Sequence, residues 1–139
     1  MLEAVSAKEI AVSGLKAQRT RMNLIANNIA NALTPTTAKG GAFRRQLAIL
    51  SGEGIKSGIL PNKLGVKVER VMSDPSPFRQ VYEPSNPYAN ADGYVEYPNV
   101  DLAVEMADLV SAQRAYEANI AVIVSSRRMA QKALEIIQV

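Results

Sequence analysis

Residues 99–139 read NVDLAVEMADLVSAQRAYEANIAVIVSSRRMAQKALEIIQV, and the spacing of their side chains decides the fold. Leu102, Met106, Leu109, Gln113, Tyr116, Ile120, Ile123, Arg127, Ala130, Leu134 and Ile137 alternate in steps of four and three without a slip. That alternation is a heptad seam, the pattern of one helix packed lengthwise on another. Asn99 after Pro98 is the expected N-cap. Asp101, Glu105 and Asp108 stand early and Arg127, Arg128 and Lys132 late, which suits the helix dipole. Such a helix runs ~55 Å at 1.5 Å per residue.

Working back to the start, the first segment repeats the theme. Ala11, Leu15, Gln18, Met22, Ile25, Ile29 and Ala32 form a second four-three seam, ended where Pro35 disfavours helical geometry at Thr34. Its helix spans ~40 Å. A compact globule of this length has a radius of gyration near 14 Å, so helices of these lengths predict an elongated molecule. Both seams have apolar flanks, such as Val12 and Leu33 or Val110, Val122 and Val124. One hairpin cannot cover them all, and the surplus predicts contact with another subunit. Gln18, Gln113 and Arg127 are polar within the seams and need partners, from each other or from a neighbouring chain.

Between the helices the chain changes character. Gly and Pro concentrate from Pro35 to Pro98, with extended candidates at Phe43–Leu50, Val66–Met72, Phe78–Tyr82 and Tyr94–Tyr97 and a loop over Ser51–Gly65. Asp92-Gly93 is a turn signal. The expected fold is therefore mainly α with a small β-rich insertion. Residues 1–34 and 99–139 pair as an antiparallel coiled-coil hairpin that forms one discontinuous domain, and 35–98 make the central segment.

Composition narrows the function. Apolar residues make up 47%, enough for an ordered core. No apolar run reaches the ~18–20 residues of a membrane span, and no cleavable leader is legible. The chain has no Cys and no His, which removes thiolate chemistry, the commonest general base and the commonest metal ligand. Residues 1–50 carry seven Lys or Arg against two Glu. That basic third raises the alternative of a soluble helical module binding nucleic acid or protein, but no recognition motif accompanies it.

The remaining motifs are weak. Ser13-Gly14-Leu15-Lys16 matches Ser-x-x-Lys without its companion motifs. Gly52-Glu53-Gly54-Ile55-Lys56-Ser57-Gly58 is a near miss to a nucleotide loop and leads to Pro61 rather than a helix, which reads as a flexible loop. Asp101, Glu105 and Asp108 share a helical face with no basic partner nearby in sequence. No wall-cleaving carboxylate pair is suggested. The expectation is a non-enzyme with no catalytic residue, metal, cofactor or small-molecule substrate, and no nucleic-acid partner.

The asparagines are more informative. Asn23, Asn27 and Asn31 recur every fourth residue, with Asn28 beside them. In the heptad frame they face away from the partner helix, which makes them candidates for hydrogen bonds to neighbouring subunits. Arg114, Glu117 and Asn119 are the corresponding candidates on the C-terminal helix.

Two blocks carry a resemblance. Ser13 to Asn23, followed by Ile25-Ala26-Asn27-Asn28-Ile29-Ala30-Asn31-Ala32, resembles the N-terminal helix of flagellar axial proteins. Pro98 to Leu102, Glu105-Met106 and Ala112 to Asn119 resemble their C-terminal helix. Gly40 to Arg45, Tyr82 to Pro87 and Ala91 to Val95 are similar to the flagellar basal-body rod family, nearest its proximal rod members. The resemblance implies a structural subunit exported unfolded through the flagellar type III apparatus, without a cleaved signal. It further implies helical assembly at the cell-proximal, periplasmic rod through the terminal helices, torque transmission, and the other rod subunits and the rod–export-gate junction protein as partners. Another axial subunit is the alternative within the same class.

Overall fold

The computed structural model describes residues 2–57 and 60–137. Helix α1 covers Leu2–Ala30 and α2 covers Leu102–Ile137, 29 and 36 residues respectively. At 1.5 Å per residue they extend ~43 and ~54 Å. The middle holds β1 (Gln46–Ser57), β2 (Leu60–Ser73), β3 (Arg79–Tyr82) and β4 (Tyr94–Tyr97) as two separate antiparallel pairs, β1 with β2 and β3 with β4.

α2 opens two residues later than expected because a different residue caps it. Asp101 Oδ1 accepts from the amides of Ala103 (2.9 Å) and Val104 (3.2 Å), satisfying donors that a helix start leaves open. Asn99 is instead a tie between loops. Its Oδ1 accepts from the Arg45 amide at 2.9 Å, and its Nδ2 donates to the carbonyls of Asp74 and Ser76, each at 3.2 Å.

The expected Ser51–Gly65 loop is corrected to ribbon. β1 runs on from Leu50 through Gly52 and Gly54, whose partners on β2 are Val66 and Leu64. The nucleotide-loop near miss is thus strand up to Ser57, and its Gly58 lies outside the described residues. The ribbon packs along α1 and is fastened there: the Val66 amide donates to Ser13 Oγ at 3.0 Å, while Ser13 Oγ donates to the Ile10 carbonyl at 2.6 Å. Helical support of this kind stabilises a two-stranded ribbon that is marginal alone. Ser13, the hydroxyl of the Ser-x-x-Lys match, is occupied as this fastener.

β3 and β4 form a small lobe immediately ahead of α2. Tyr82 pairs with Tyr94 across it, ring centroids 5.3 Å apart and edge-to-face. Gly93, at φ 82°, closes the turn into β4 and leaves room for the Tyr82 ring, which a Cβ there would meet at 2.9 Å.

Candidate assembly interface

The face on which α1 and α2 meet mixes small and polar residues with a few large apolar ones. A Cβ at Gly14 would come within 2.9 Å of the Asn119 side chain, and Asn28 Nδ2 donates to Glu105 Oε2 at 3.0 Å. The two pairs lie two heptads apart on each helix, which fixes an antiparallel register. Along α2 the shielded positions are Glu105, Leu109, Ala112, Tyr116, Asn119, Ile123, Ser126, Ala130 and Ala133, with Asp108 and Ala115 beside them. That is again a four-three series, turned by one residue at every second position from the series of large apolar side chains. Met106, Gln113, Ile120, Arg127 and Leu134, expected in the intramolecular seam, are exposed, as is Leu102. The side chain of Ile137 lies outside those described.

α1 is turned in the same way. Gly14, Arg21 and Asn28 face α2, while Leu15, Met22 and Ile29 are half-buried one position away. Ala11, Ile25 and Ala32 are buried and Gln18 half-buried. Two small surfaces let helix axes approach closely, and the large side chains are then turned off the contact. Leu and Met dominate a hydrophobic count, so the sequence pattern favours the wrong member of each adjacent pair.

At its junction end this interface becomes an ionic knot around a buried carboxylate. Glu105 has no exposed surface. Arg45, at the entry to β1, donates from Nε to Glu105 Oε1 at 2.5 Å and reaches Asp74 and Asp108, each at 3.5 Å. Arg21 holds the other oxygen of Asp108 at 3.1 Å. Asn28, 1% exposed, also donates to the Gln46 carbonyl and accepts from the Gln46 amide, both at 2.9 Å. Burial pushes the Arg45 guanidinium down, but hydrogen bonds and charge from Glu105 and then Asp74 more than offset it, leaving it above its ordinary value. Of the carboxylates expected to lack a basic partner, Glu105 and Asp108 therefore have two, Arg45 and Arg21, supplied from distant sequence, while Asp101 caps α2. Neither was singled out, because nothing local pairs them with α2.

The residues proposed for contacts between subunits divide. Asn28 and Asn119 are corrected: both lie within the chain's own helix contact, Asn119 Nδ2 also donating to the Ala115 carbonyl at 2.9 Å. Asn27 donates weakly to Gln46 Oε1 at 3.3 Å and accepts from Asn31. Asn23, Arg114 and Glu117 are exposed on the outer surface. Gln113 donates to Glu117 on its own helix at 3.2 Å, and Gln18 Oε1 is buried with no hydrogen-bond partner among the described residues.

Outside the hairpin, α2 carries Val104, Met106, Val110, Ile120, Val122, Val124 and Leu134 in the open, each at least two-fifths exposed. Apolar exposure on this scale marks an interaction surface. No helix among the described residues is long and apolar enough to cross a membrane, and no cluster of potential metal ligands is found among them.

Comparison with known proteins agrees with this division into two terminal helices and a middle. Residues 9–35 match the family described as Flagella basal body rod protein, and residues 91–136 match Flagellar basal body rod FlgEFG protein C-terminal. The chain is 42% identical to the flagellar basal-body rod protein FlgC of Borreliella burgdorferi, over 96% of this chain and 97% of that protein. It is 38% identical to FlgC of Bacillus subtilis (97% and 99% covered) and 40% identical to FlgC of Salmonella typhimurium (91% and 92%).

Proposed function

This chain belongs to the flagellar basal-body rod protein family, and from that premise we propose that it builds the proximal rod as a non-catalytic structural subunit. The observation that carries the reading is the surplus apolar surface of α2, left over after α1 has covered one face. In a rod, that surface meets the terminal helices of neighbouring subunits, and Asn23, Arg114, Glu117, Met106, Ile120 and Leu134 contribute to the contacts. The chain passes unfolded through the flagellar type III apparatus, works in the periplasmic span of the basal body and carries torque. Its partners are the other rod subunits and the rod–export-gate junction protein.

Mass spectrometry of purified hook–basal bodies, stripped of loosely bound protein, tests the reading. Several copies of this chain per particle are expected. Its absence from particles that contain the other rod proteins would overturn the assignment.

A further inference from the structure

Charge is segregated along the molecule. From Gln80 to Gln113 there are six acidic residues and no Lys or Arg, whereas Arg127, Arg128 and Lys132 crowd the far end of α2 against Glu135 alone. The acidic stretch includes all of the β3–β4 lobe except Arg79, and Tyr82, Tyr88 and Tyr94 are exposed there in the same segment as Asp92 and Glu96. Two of these rings, Tyr82 and Tyr94, are not loose. Tyr82 packs edge-to-face on Tyr94 and sits over Gly93, so a protruding aromatic surface is fixed in advance. Rigid exposed tyrosines are frequent anchors of protein interfaces.

The lobe already accepts guanidinium groups on its rings: Arg44 lies 4.1 Å from the Phe78 centroid and Arg79 5.6 Å from that of Tyr97. Tyr82, Tyr88 and Tyr94 have no such partner among the described residues. At the other end of α2, Arg127 and Arg128 are exposed and flanked by exposed Met129, Leu134 and Ile136. An arginine pair with apolar neighbours matches an acidic tyrosine surface in both charge and contact chemistry. Twenty-five helical residues, ~38 Å, separate the start of α2 beside the lobe from Arg127. The two surfaces therefore cannot meet within one chain.

We propose that the β3–β4 tyrosine surface of one copy of this chain receives the Arg127–Arg128 end of α2 from a second copy. The contact is head-to-tail, of the kind that generates open helical arrays rather than closed dimers. It rests on the rod reading above and adds the residues that touch.

The absence of cysteine makes a direct test clean. Chains carrying Tyr88→Cys and chains carrying Arg128→Cys are co-expressed, basal bodies are purified and oxidised, and non-reducing gels are probed for this chain. A covalent dimer requiring both variants is expected. Both variants present in the particles without that dimer, or Tyr88→Cys joined to a different protein, overturns the contact while leaving the rod reading intact. Neither variant in the particles, with the unsubstituted chain also missing, removes the rod reading and the contact with it. In a second measurement, Asp92→Lys with Glu96→Lys reduces incorporation by roughly tenfold, the scale of two lost charge contacts. Adding Arg127→Glu with Arg128→Glu restores it; failure of the swap to restore incorporation, with every variant shown folded by circular dichroism, contradicts the pairing.

Discussion

Glu105 is the residue on which the hairpin turns. Its carboxylate is removed from solvent and held by Arg45 and Asn28. Taking away one partner of a buried ion pair leaves an uncompensated charge, at a cost of roughly 3–5 kcal/mol. Arg45→Met should therefore lower stability by about 3 kcal/mol in urea unfolding, and Arg45→Met with Glu105→Met should recover much of it. Full additivity of the two substitutions would mean that the pair is not coupled. Asp74 gives a pH signature. The Ser76 hydroxyl and amide, at 2.5 and 2.9 Å, and then Arg45 hold its carboxyl below the ordinary value, against the opposing effect of burial. A carboxyl lowered in the fold contributes stability above its unfolded pKa, near 3.9, and loses that contribution as pH falls through the folded value. Asp74→Asn should accordingly flatten the fall in stability below about pH 4, read from unfolding midpoints across the acid range. Asn28 was legible as special from its crowded neighbourhood in sequence. The side it faces was not, because its partners Gln46 and Glu105 come from other elements.

At the scale of the element, both helices and their lengthwise packing could be read from the four-three spacing. The rotation could not. Periodicity locates a stripe only to within a residue when each large side chain has a small or polar neighbour. Here Gly14 beside Leu15, Asn28 beside Ile29 and Ala112 beside Gln113 settle the choice through closeness of approach, which no hydrophobic count contains. Two substitutions separate the stripes. Ala112→Leu should push the helices apart and cost about 1–3 kcal/mol. Met106→Ala, on the exposed stripe, should change the stability of the isolated chain by less than about 0.5 kcal/mol, as measured by thermal unfolding. The ribbon was missed beyond Leu50 for a related reason. Gly52 and Gly54 read locally as a loop, but cross-strand pairing and support from α1 outweigh their low strand preference. Pro98 and Asn99 pointed to a helix start, while the cap itself is Asp101, whose replacement by Ala should cost about 1 kcal/mol.

The whole molecule is a long hairpin tied at one end. The ionic knot and Asn99 gather near the close of α1 and the opening of α2, and the ribbon starts there and runs back along α1 as far as Ser13. Continuing the register from Asn28–Glu105 and Gly14–Asn119 sets Leu2 opposite Gln131, so the last turn of α2 reaches past α1. Amide hydrogen exchange of the dilute chain should fall into a gradient, slowest around Asn28 and Glu105 and fastest beyond Arg128. Incorporation into the rod should level that gradient by protecting the outer end. A uniformly slow α2 in the dilute chain would show that the hairpin needs no neighbour. The polar seam has a mechanical consequence as well. Two helices joined by a repeating greasy stripe can creep past each other under shear, one repeat at a time, because every repeat offers nearly the same grip. Here a slip of a single heptad would strip Glu105 of Asn28 and strand a buried charge, so sliding has no gentle first step. The hairpin behaves less like a zipper than like a keyed shaft coupling, able to yield by parting but not by drifting out of register.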